Sequence, residues 1–379
     1  MRSFSRLNEL LDKFIDMGVP FFDIEVRYNG EKVFRRMYGY SDYEKKQPVN
    51  GKELYEIYSC SKPITCAAAL TLLEKGKLSL SDKLSDYLPE FKKMTVYEKG
   101  ILREAKKPIT IEDLFTMTAG FTYDVNTENI KAGKNEIEGA ETREMMRYLA
   151  KDPLIFEPSE RFNYSLCHDV LAAVVQVIAG ESFGEYIKKA VFDKAGMENT
   201  TYLPDKISSG KLAAQYIYDS ETGEYKKLSG NFSRFGNKYE SGGAGCITCV
   251  DDYMKFLEGL RIGDVFLSKE TIKLMTASRL PVSKLKEYPL FKRGYGYGLG
   301  LRCPLDEKSL HTDFGWGGAA AAYAAFDIKH SFSLYYAQHV LNSPNQELRN
   351  ELPGIVRECL GFSAGNAEYA DSDGYRCTY

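Results

Sequence analysis

The strongest constraint on the fold comes from two strand-like pairs of segments, one near each end of the chain. Residues Phe22–Tyr28 alternate between apolar and polar side chains, and Lys32–Met37 follows as a second strand-like segment. The dipeptide Asn29-Gly30 between them suits a two-residue β-hairpin turn, because both turn positions need a positive φ. The pattern predicts an antiparallel pair of strands close to the N-terminus.

The C-terminal part of the chain repeats this arrangement. Ala321–Phe326 and Phe332–Tyr336 flank a short turn, and a helix is predicted from about Asn345 to Leu360. Between the two strand pairs the chain is mostly helical with long loops, and apolar patterning predicts helices at His168–Ala179 and Asp251–Leu260. Sequence-distant strands therefore flank a helical middle.

This order predicts an α/β fold of the α+β type. We expect an antiparallel sheet built from both termini and flanked by helices, with a mostly helical domain inserted between the two sets of strands. The predicted sheet domain comprises residues 1–85 and 235–379, the predicted helical domain comprises residues 86–234, and the active site lies between them. The strictly alternating segment Gly294–Gly300 is expected to be a strand packed closely against a neighbour, since it lacks the spacing of a dinucleotide-binding loop.

Composition excludes several classes of function. The chain of 379 residues carries a net charge of −3, so it has no electrostatic footprint for nucleic acid or an anionic membrane. No apolar segment reaches the length of a membrane span. Residues 1–19 form an amphipathic pattern interrupted by acids rather than a signal peptide, and we therefore expect a cytoplasmic protein.

The eight cysteines show no pattern of a disulfide framework, so reduced thiols are the simplest interpretation. Cys246 and Cys249 form one C-x-x-C with neither a second pair nor a nearby histidine, and we interpret them as packing residues. The sequence implies no metal and no cofactor.

The candidate for chemistry is Ser59, which is followed three residues later by Lys62 at the start of an apolar helical segment. Residues three apart share a helix face, so the lysine ammonium can reach the serine hydroxyl. A serine needs an adjacent base to become a nucleophile, and a desolvated lysine can serve. The pattern alone is also compatible with a solvated first turn; Pro63, which suits a helix start, favours the buried helix.

Two further segments make this pattern specific. Phe156–Leu166 follows about a hundred residues after Ser59, and His311–Ala319 lies near the C-terminus. In this order and spacing, the chain resembles the serine β-lactamase and penicillin-binding-protein superfamily over nearly its whole length. The similarity is closest to class C β-lactamases and their esterase relatives, the family VIII carboxylesterases. The resemblance implies the β-lactamase/transpeptidase-like fold.

The resemblance also implies roles for individual residues. Ser59 is expected to be the acyl-accepting nucleophile, with Lys62 as its partner and Tyr164 as the general acid/base. The backbone N–H groups of Ser59 and Ala319 are expected to form the oxyanion hole. The other histidines and tyrosines match no such position; His168, for example, is expected to be packed or on the surface.

Two departures from the lactamase pattern bear on the substrate. Trp316-Gly317-Gly318 stands where lactamases and D,D-peptidases carry a Lys-Thr-Gly-like motif, so the cation and hydroxyl that help bind a substrate carboxylate are replaced by apolar area and one weak donor. Leu166 stands where class C enzymes have an asparagine. We therefore assign these four positions to substrate binding and expect neutral esters to be cleaved.

Alternatives remain open from sequence. The chain is predicted to be a serine hydrolase of short-chain carboxylesterase type; the alternatives are a β-lactamase or D-amino-acid peptidase, an acyltransferase, and a non-catalytic binding member of the family. The expected partner is a small-molecule ester or amide, without nucleic acid or membrane. The loop Tyr123–Gly139 is expected to border the pocket. The natural acyl group and the oligomeric state are not specified.

Overall fold

The computed structural model describes residues 3–207, 210–231, 233–306, 309–362, 369, 370, 376 and 377. The α-helices in these residues are α1 (Ser5–Asp16), α2 (Ser61–Glu74), α3 (Ile111–Phe115), α4 (Glu128–Glu136), α5 (Thr142–Leu149), α6 (Cys167–Ala179), α7 (Phe183–Ile187), α8 (Asp193–Ala195), α9 (Val250–Ile262), α10 (Lys269–Thr276), α11 (Val282–Leu285) and α12 (Leu352–Cys359). Short 3₁₀ helices include Tyr58–Cys60 and Leu348–Glu351.

The strands fall into one large sheet and several small ones. They are β1 (Phe21–Tyr28), β2 (Glu31–Asp42), β3 (Gln47–Pro48), β4 (Tyr55–Glu56), β5 (Thr95–Glu98), β6 (Ile101–Glu104), β7 (Gln215–Asp219), β8 (Glu224–Leu228), β9 (Ile247–Thr248), β10 (Tyr295–Tyr297), β11 (Arg302–Pro304), β12 (Phe314–Gly317), β13 (Tyr323–Asp327), β14 (Phe332–Ala337), β15 (Val340–Leu341), β16 (Tyr369–Ala370) and β17 (Arg376–Cys377).

The large sheet confirms the predicted fold class. Its strand order is β10-β11-β12-β13-β14-β1-β2-β3, and every pair is antiparallel. The first strand of the chain thus pairs with β14, so both ends of the sequence build one sheet. The predicted β1–β2 hairpin is present, and its turn residues Asn29 and Gly30 have φ of 53° and 85°. The C-terminal pair β13–β14 is also present.

Strand β1 lies in the middle of the molecule and is covered on both faces. Phe22, Ile24 and Val26 point to an apolar layer formed by α1 and α12. Phe21 points to the opposite face, where it joins the core shared with α2, α6 and α9. Six consecutive residues from Phe21 are buried, and they include Asp23 and Glu25, whose carboxylates pair with Arg35.

Helix α2 is the buried central helix that its apolar sequence predicted. Every residue from Ser61 to Leu72 is buried, and α2 packs against α6. The helix ends before Gly76, whose φ of 64° matches the predicted C-terminal glycine. The predicted C-terminal helix was too long at its start, because α12 begins only at Leu352, after a 3₁₀ turn. Asn345, the predicted first residue of the helix, lies before this turn, and its side-chain amide donates a hydrogen bond to the Tyr336 hydroxyl.

The glycines of Gly294–Gly300 allow close packing, as predicted, although the regular strand is only Tyr295–Tyr297. A Cβ on Gly296 would lie 2.4 Å from the Ser278 hydroxyl, and a Cβ on Gly298 would lie 2.4 Å from the Met275 carbonyl. Larger residues would therefore push α10 away from the sheet.

The predicted domain boundaries stay a prediction. The hairpin β7–β8 lies in sequence within the segment predicted as mainly helical, and β7 pairs in parallel with β15.

Among the described residues no single helix is long and apolar enough to cross a membrane, while one bent pair, Cys167–Ala179 with Phe183–Ala195, meets the criterion by length and composition alone.

A buried ion pair joins β11 to the segment before β12. Arg302 and Asp313 are 1% and 0% exposed, and Arg302 Nη2 lies 2.9 Å from Asp313 Oδ2. The Tyr295 hydroxyl donates a hydrogen bond to the same carboxylate. Burial raises and the Arg302 charge lowers the pKa of Asp313, with a net decrease below its ordinary value.

We expect Asp313→Ala to lower the free energy of unfolding by about 3–5 kcal/mol, because it leaves the buried Arg302 charge without its partner. Since the folded pKa of Asp313 is lowered, its stabilisation is present above the pKa of an unfolded aspartate and is lost as the pH falls through the folded pKa. Urea unfolding at pH 7 measures the difference. The exposed Asp16→Ala is the control, and a loss below about 1 kcal/mol would contradict the expectation.

Candidate active site

Ser59 lies in the 3₁₀ turn Tyr58–Cys60, immediately before α2. The residue before it, Tyr58, is buried and has a φ of 48°, a left-handed conformation that is unfavourable for a bulky side chain. Backbone strain of this kind often occurs at functional sites. The turn leaves Ser59 half-exposed, beside a cavity, while its neighbours are buried.

Lys62 follows one turn later and is fully buried. Its Nζ donates hydrogen bonds to Ser59 Oγ at 3.2 Å and to the Gly243 carbonyl at 2.7 Å. Burial opposes the positive charge, but the hydroxyls of Tyr123 and Tyr164 favour it, so that the pKa of Lys62 is raised above its ordinary value. The two oxygen acceptors at Nζ suit an ammonium, which can stabilise negative charge at Ser59 Oγ.

Tyr164 reaches Ser59 from a different part of the chain. The Tyr164 hydroxyl donates a hydrogen bond to Ser59 Oγ at 2.6 Å. Its segment is fixed by Asn163, whose backbone N–H donates to the Met117 carbonyl and whose side chain donates to the Phe121 carbonyl. The structure therefore brings Ser59, Lys62 and Tyr164 together. Helical spacing relates Lys62 to Ser59, but no such spacing relates Tyr164 to them.

Trp316 covers Tyr164 from the sheet side. The two rings are stacked with centroids 5.9 Å apart, and Trp316 Nε1 donates to the Tyr164 hydroxyl at 3.4 Å. Gly318 lets the end of β12 approach the turn that carries Ser59, because a Cβ on Gly318 would lie 2.4 Å from the Ile57 carbonyl. Ala319 follows at the end of the strand and lines the same cavity as Ser59.

Tyr123 is the site residue that sequence reasoning did not single out. Its ring stacks on Tyr164 with centroids 5.3 Å apart and planes within 10°, and its hydroxyl lies 3.4 Å from Lys62 Nζ. Only its loop, 123–139, was expected near the pocket, and α4 forms part of that loop. As one of 27 tyrosines without a motif, Tyr123 gave no signal of its own.

Next to these residues is a cavity of about 430 Å³. Part of its lining is apolar and aromatic, and the segment before α12 contributes polar and charged groups. The lining residues are Ser59, Phe162, Tyr164, Tyr288, Pro289, Leu290, Arg302, Trp316, Gly317, Gly318, Ala319, Tyr323, Gln346, Glu347, Arg349 and Asn350. A cavity of this size and mixed character suits a small organic molecule.

Comparison with known proteins agrees with this geometry. The sequence profile of the Beta-lactamase family matches residues 16–353, which is most of the chain. The chain belongs to the Beta-lactamase family. Members of this family are serine hydrolases, including esterases, β-lactamases and penicillin-binding proteins. The comparison thus places the chain among proteins that use the chemistry expected from Ser59.

Individual relatives resemble the chain over most of its length. Protein Rv1367c of Mycobacterium tuberculosis is 29% identical over 295 residues, or 74% of each chain. Esterase EstB of Burkholderia gladioli is 27% identical over 306 residues, or 75% of each chain. The solved structure of EstCE1, described as a hydrolase with promiscuous acyltransferase activity, has a TM-score of 0.77 at 24% identity and covers 94% of this chain and 97% of its own.

The structure does not bring Leu166 to the Ser59 cavity. Leu166 is 4% exposed and immediately precedes α6, where its side chain packs into the helical core. It borders a separate small crevice with Phe121 and Ile130. The buried helix α6 starts at the next residue, Cys167, so Leu166 lies at the buried end of this helix. The substrate-binding role predicted for Leu166 therefore has no geometric support in this Beta-lactamase family member.

The histidines near the site are packed. His168 is fully buried in α6, and burial lowers its pKa to about 3, so its ring is neutral. This agrees with the expectation of a packed histidine. His311 stacks on Tyr295 with centroids 4.1 Å apart, and burial lowers its pKa as well.

Proposed function

We propose that the protein is a serine hydrolase that cleaves carboxylic esters through an acyl-enzyme on Ser59. The observation that carries the proposal is the meeting of three groups: Ser59 Oγ lies 3.2 Å from Lys62 Nζ and 2.6 Å from the Tyr164 hydroxyl, at a cavity large enough for a small substrate. A nucleophile within reach of a proton-transfer group and a cation is the arrangement that acyl transfer requires.

In the proposed acylation step, Ser59 Oγ attacks the ester carbonyl carbon. The serine proton passes to the Tyr164 oxygen while the Tyr164 proton passes to the leaving alkoxide oxygen, so the C–O bond breaks and a neutral alcohol departs. The Lys62 cation stabilises negative charge on either oxygen as the protons move. Water then repeats the sequence in reverse on the acyl-serine and releases the acid.

Trp316 supports an ester over a carboxylated lactam. It places an indole stacked on Tyr164 at the position where the lactamase pattern has a cation. Tyr288 also stacks on Trp316, with centroids 6.2 Å apart, so that Tyr164, Trp316 and Tyr288 form an aromatic wall of the cavity. Apolar area of this kind contributes binding energy for an acyl chain or ring, but it does not compensate the charge of a carboxylate.

The experiment that tests the proposal compares matched substrates with purified protein. We expect hydrolysis of p-nitrophenyl butyrate, and at most trace turnover of the matched amide p-nitrobutyranilide and of the cephalosporin nitrocefin. Intact mass spectrometry after a fluorophosphonate probe should show a single adduct that maps to Ser59. Faster turnover of nitrocefin than of the ester would contradict the ester assignment, and absence of both turnover and labelling would contradict the enzyme.

Acyl transfer to an alcohol is a second candidate, supported by the polar groups of the same cavity. Gln346, Glu347 and Asn350 line the cavity and offer hydrogen bonds to a hydroxylated acceptor. The structural similarity to EstCE1, with its promiscuous acyltransferase activity, adds to this. Formation of a butyrate ester from added glycerol, in proportion to its concentration, would identify transfer; unchanged release of butyrate would favour hydrolysis.

A further inference from the structure

Arg349 is held against the strand-end turn that carries Ala319. It lies in the 3₁₀ turn Leu348–Glu351, and its guanidinium lines the cavity beside Gly317. A Cβ on Gly317 would lie 3.3 Å from Arg349 Nη2, so this glycine leaves the space that the guanidinium occupies. No motif in the sequence connects this arginine with the site.

The contacts of Arg349 are with backbone carbonyls. Its Nη1 donates to the Gly318 carbonyl at 3.0 Å and to the Ala322 carbonyl at 3.1 Å. The same turn is closed by the N–H of Gly318, which donates to the Ala322 carbonyl at 2.8 Å. A neighbouring residue, Gln346, donates to the Ala319 carbonyl at 3.2 Å. The segment before α12 therefore fixes both sides of the turn.

The contact with the Gly318 carbonyl involves the peptide group whose N–H, that of Ala319, is expected to form part of the oxyanion hole. The Gly318 carbonyl and the Ala319 N–H belong to the same planar amide and point in opposite directions. Two donors, the Ala321 N–H at 3.1 Å and the Arg349 guanidinium at 3.0 Å, bind this carbonyl and together fix the plane and the direction of the N–H. Because the guanidinium is charged, it also polarises the amide and strengthens its N–H as a hydrogen-bond donor.

We propose that Arg349 is a positioning residue for the oxyanion hole: by binding the Gly318 carbonyl it orients and polarises the Ala319 N–H toward the tetrahedral intermediate formed at Ser59. This inference rests on the proposed function. Arg349 acts through the peptide group and does not need to touch the substrate, so its contribution is made mainly in the transition state.

The test uses Arg349→Met, which keeps an unbranched apolar stem but lacks the guanidinium donors, and Arg349→Lys, which keeps the charge on a single ammonium. Removing one oxyanion donor costs about 10²- to 10³-fold, so loss of its positioning group should lower kcat by about 10- to 100-fold. KM should stay within about twofold, and Arg349→Lys should retain an intermediate kcat. Arg147→Met, which removes an exposed arginine that pairs with Glu144 on α5, is the matched control.

Two substrates separate this role from direct binding of an anionic substrate. The neutral ester p-nitrophenyl butyrate and the anionic mono-p-nitrophenyl succinate should lose kcat by the same factor in Arg349→Met. A loss confined to the KM of the anionic ester would overturn the inference. The rate of Ser59 labelling by a fluorophosphonate should fall in parallel with kcat, since its tetrahedral phosphorus places an oxygen at the same N–H groups.

The labelling rate also separates the two proposals. If wild type labels at Ser59 and Arg349→Met labels equally fast, the positioning role fails while the proposed function stands. If wild type neither labels nor hydrolyses esters, the proposed function fails and the positioning role fails with it. A common unfolding midpoint for wild type and both variants shows that the losses are local.

Discussion

Replacement of Ser59 by alanine is expected to lower kcat for p-nitrophenyl butyrate by about 10⁴-fold or more, because the acyl-enzyme cannot form without the serine oxygen. Lys62 and Tyr164 both direct their protons to this oxygen, and removing it leaves two donors without a common acceptor. A residual rate above that in water is expected, because the cavity and the proposed oxyanion hole remain. The measurement is the release of p-nitrophenolate at 400 nm under saturating ester.

The control for this variant is Ser81→Ala, because Ser81 is exposed and its hydroxyl contacts Ser79. Trp316 provides a second check. As the only tryptophan, it reports on the cavity wall by its fluorescence, and the Ser59→Ala spectrum should match that of wild type. Ester added to this variant should still quench Trp316 without turnover. Retention of a tenth of wild-type kcat would place the nucleophile elsewhere.

Local sequence determined much of the fold. Asn29-Gly30 specified a turn that only a few residue pairs accept, and the alternation before it specified which side chains of β1 share the apolar layer with α1 and α12. The alternation did not predict that Asp23 and Glu25 are buried as well, because their ion pairs with Arg35 depend on the neighbouring strand. The relation of Ser59 to Lys62 was also local, because one helical turn fixes both positions. These predictions hold because the responsible interactions span few residues.

The rest of the site depends on packing between distant segments. Tyr164 lies 105 residues from Ser59, and only the family resemblance, not a spacing rule, connected the two. Leu166 shows the limit of that reasoning: it matched a motif position, yet the start of α6 turns it into the core. Tyr123 and Arg349 join the site by a stacked ring and a carbonyl contact, which have no sequence signature.

Tyr164→Phe is the second variant with a large expected effect, and the size of its effect should depend on the leaving group. General acid–base groups contribute about 10²- to 10⁴-fold, so kcat for an alkyl ester should fall within that range. The phenyl ring keeps the stacking with Trp316 and Tyr123, and only the hydroxyl that contacts Ser59 is lost. The variant thus isolates proton transfer from packing.

The comparison of kcat for ethyl butyrate and for p-nitrophenyl butyrate tests this dependence on the leaving group. Ethoxide needs a proton to leave, whereas p-nitrophenolate leaves unprotonated, so Tyr164→Phe should lose more activity with the ethyl ester. Tyr123→Phe is the matched control: its hydroxyl contacts Lys62 at 3.4 Å, so we expect a smaller loss that is equal for both esters. Equal losses for the two esters in Tyr164→Phe would instead limit Tyr164 to activating Ser59, and a larger loss in Tyr123→Phe would transfer the acid role to Tyr123.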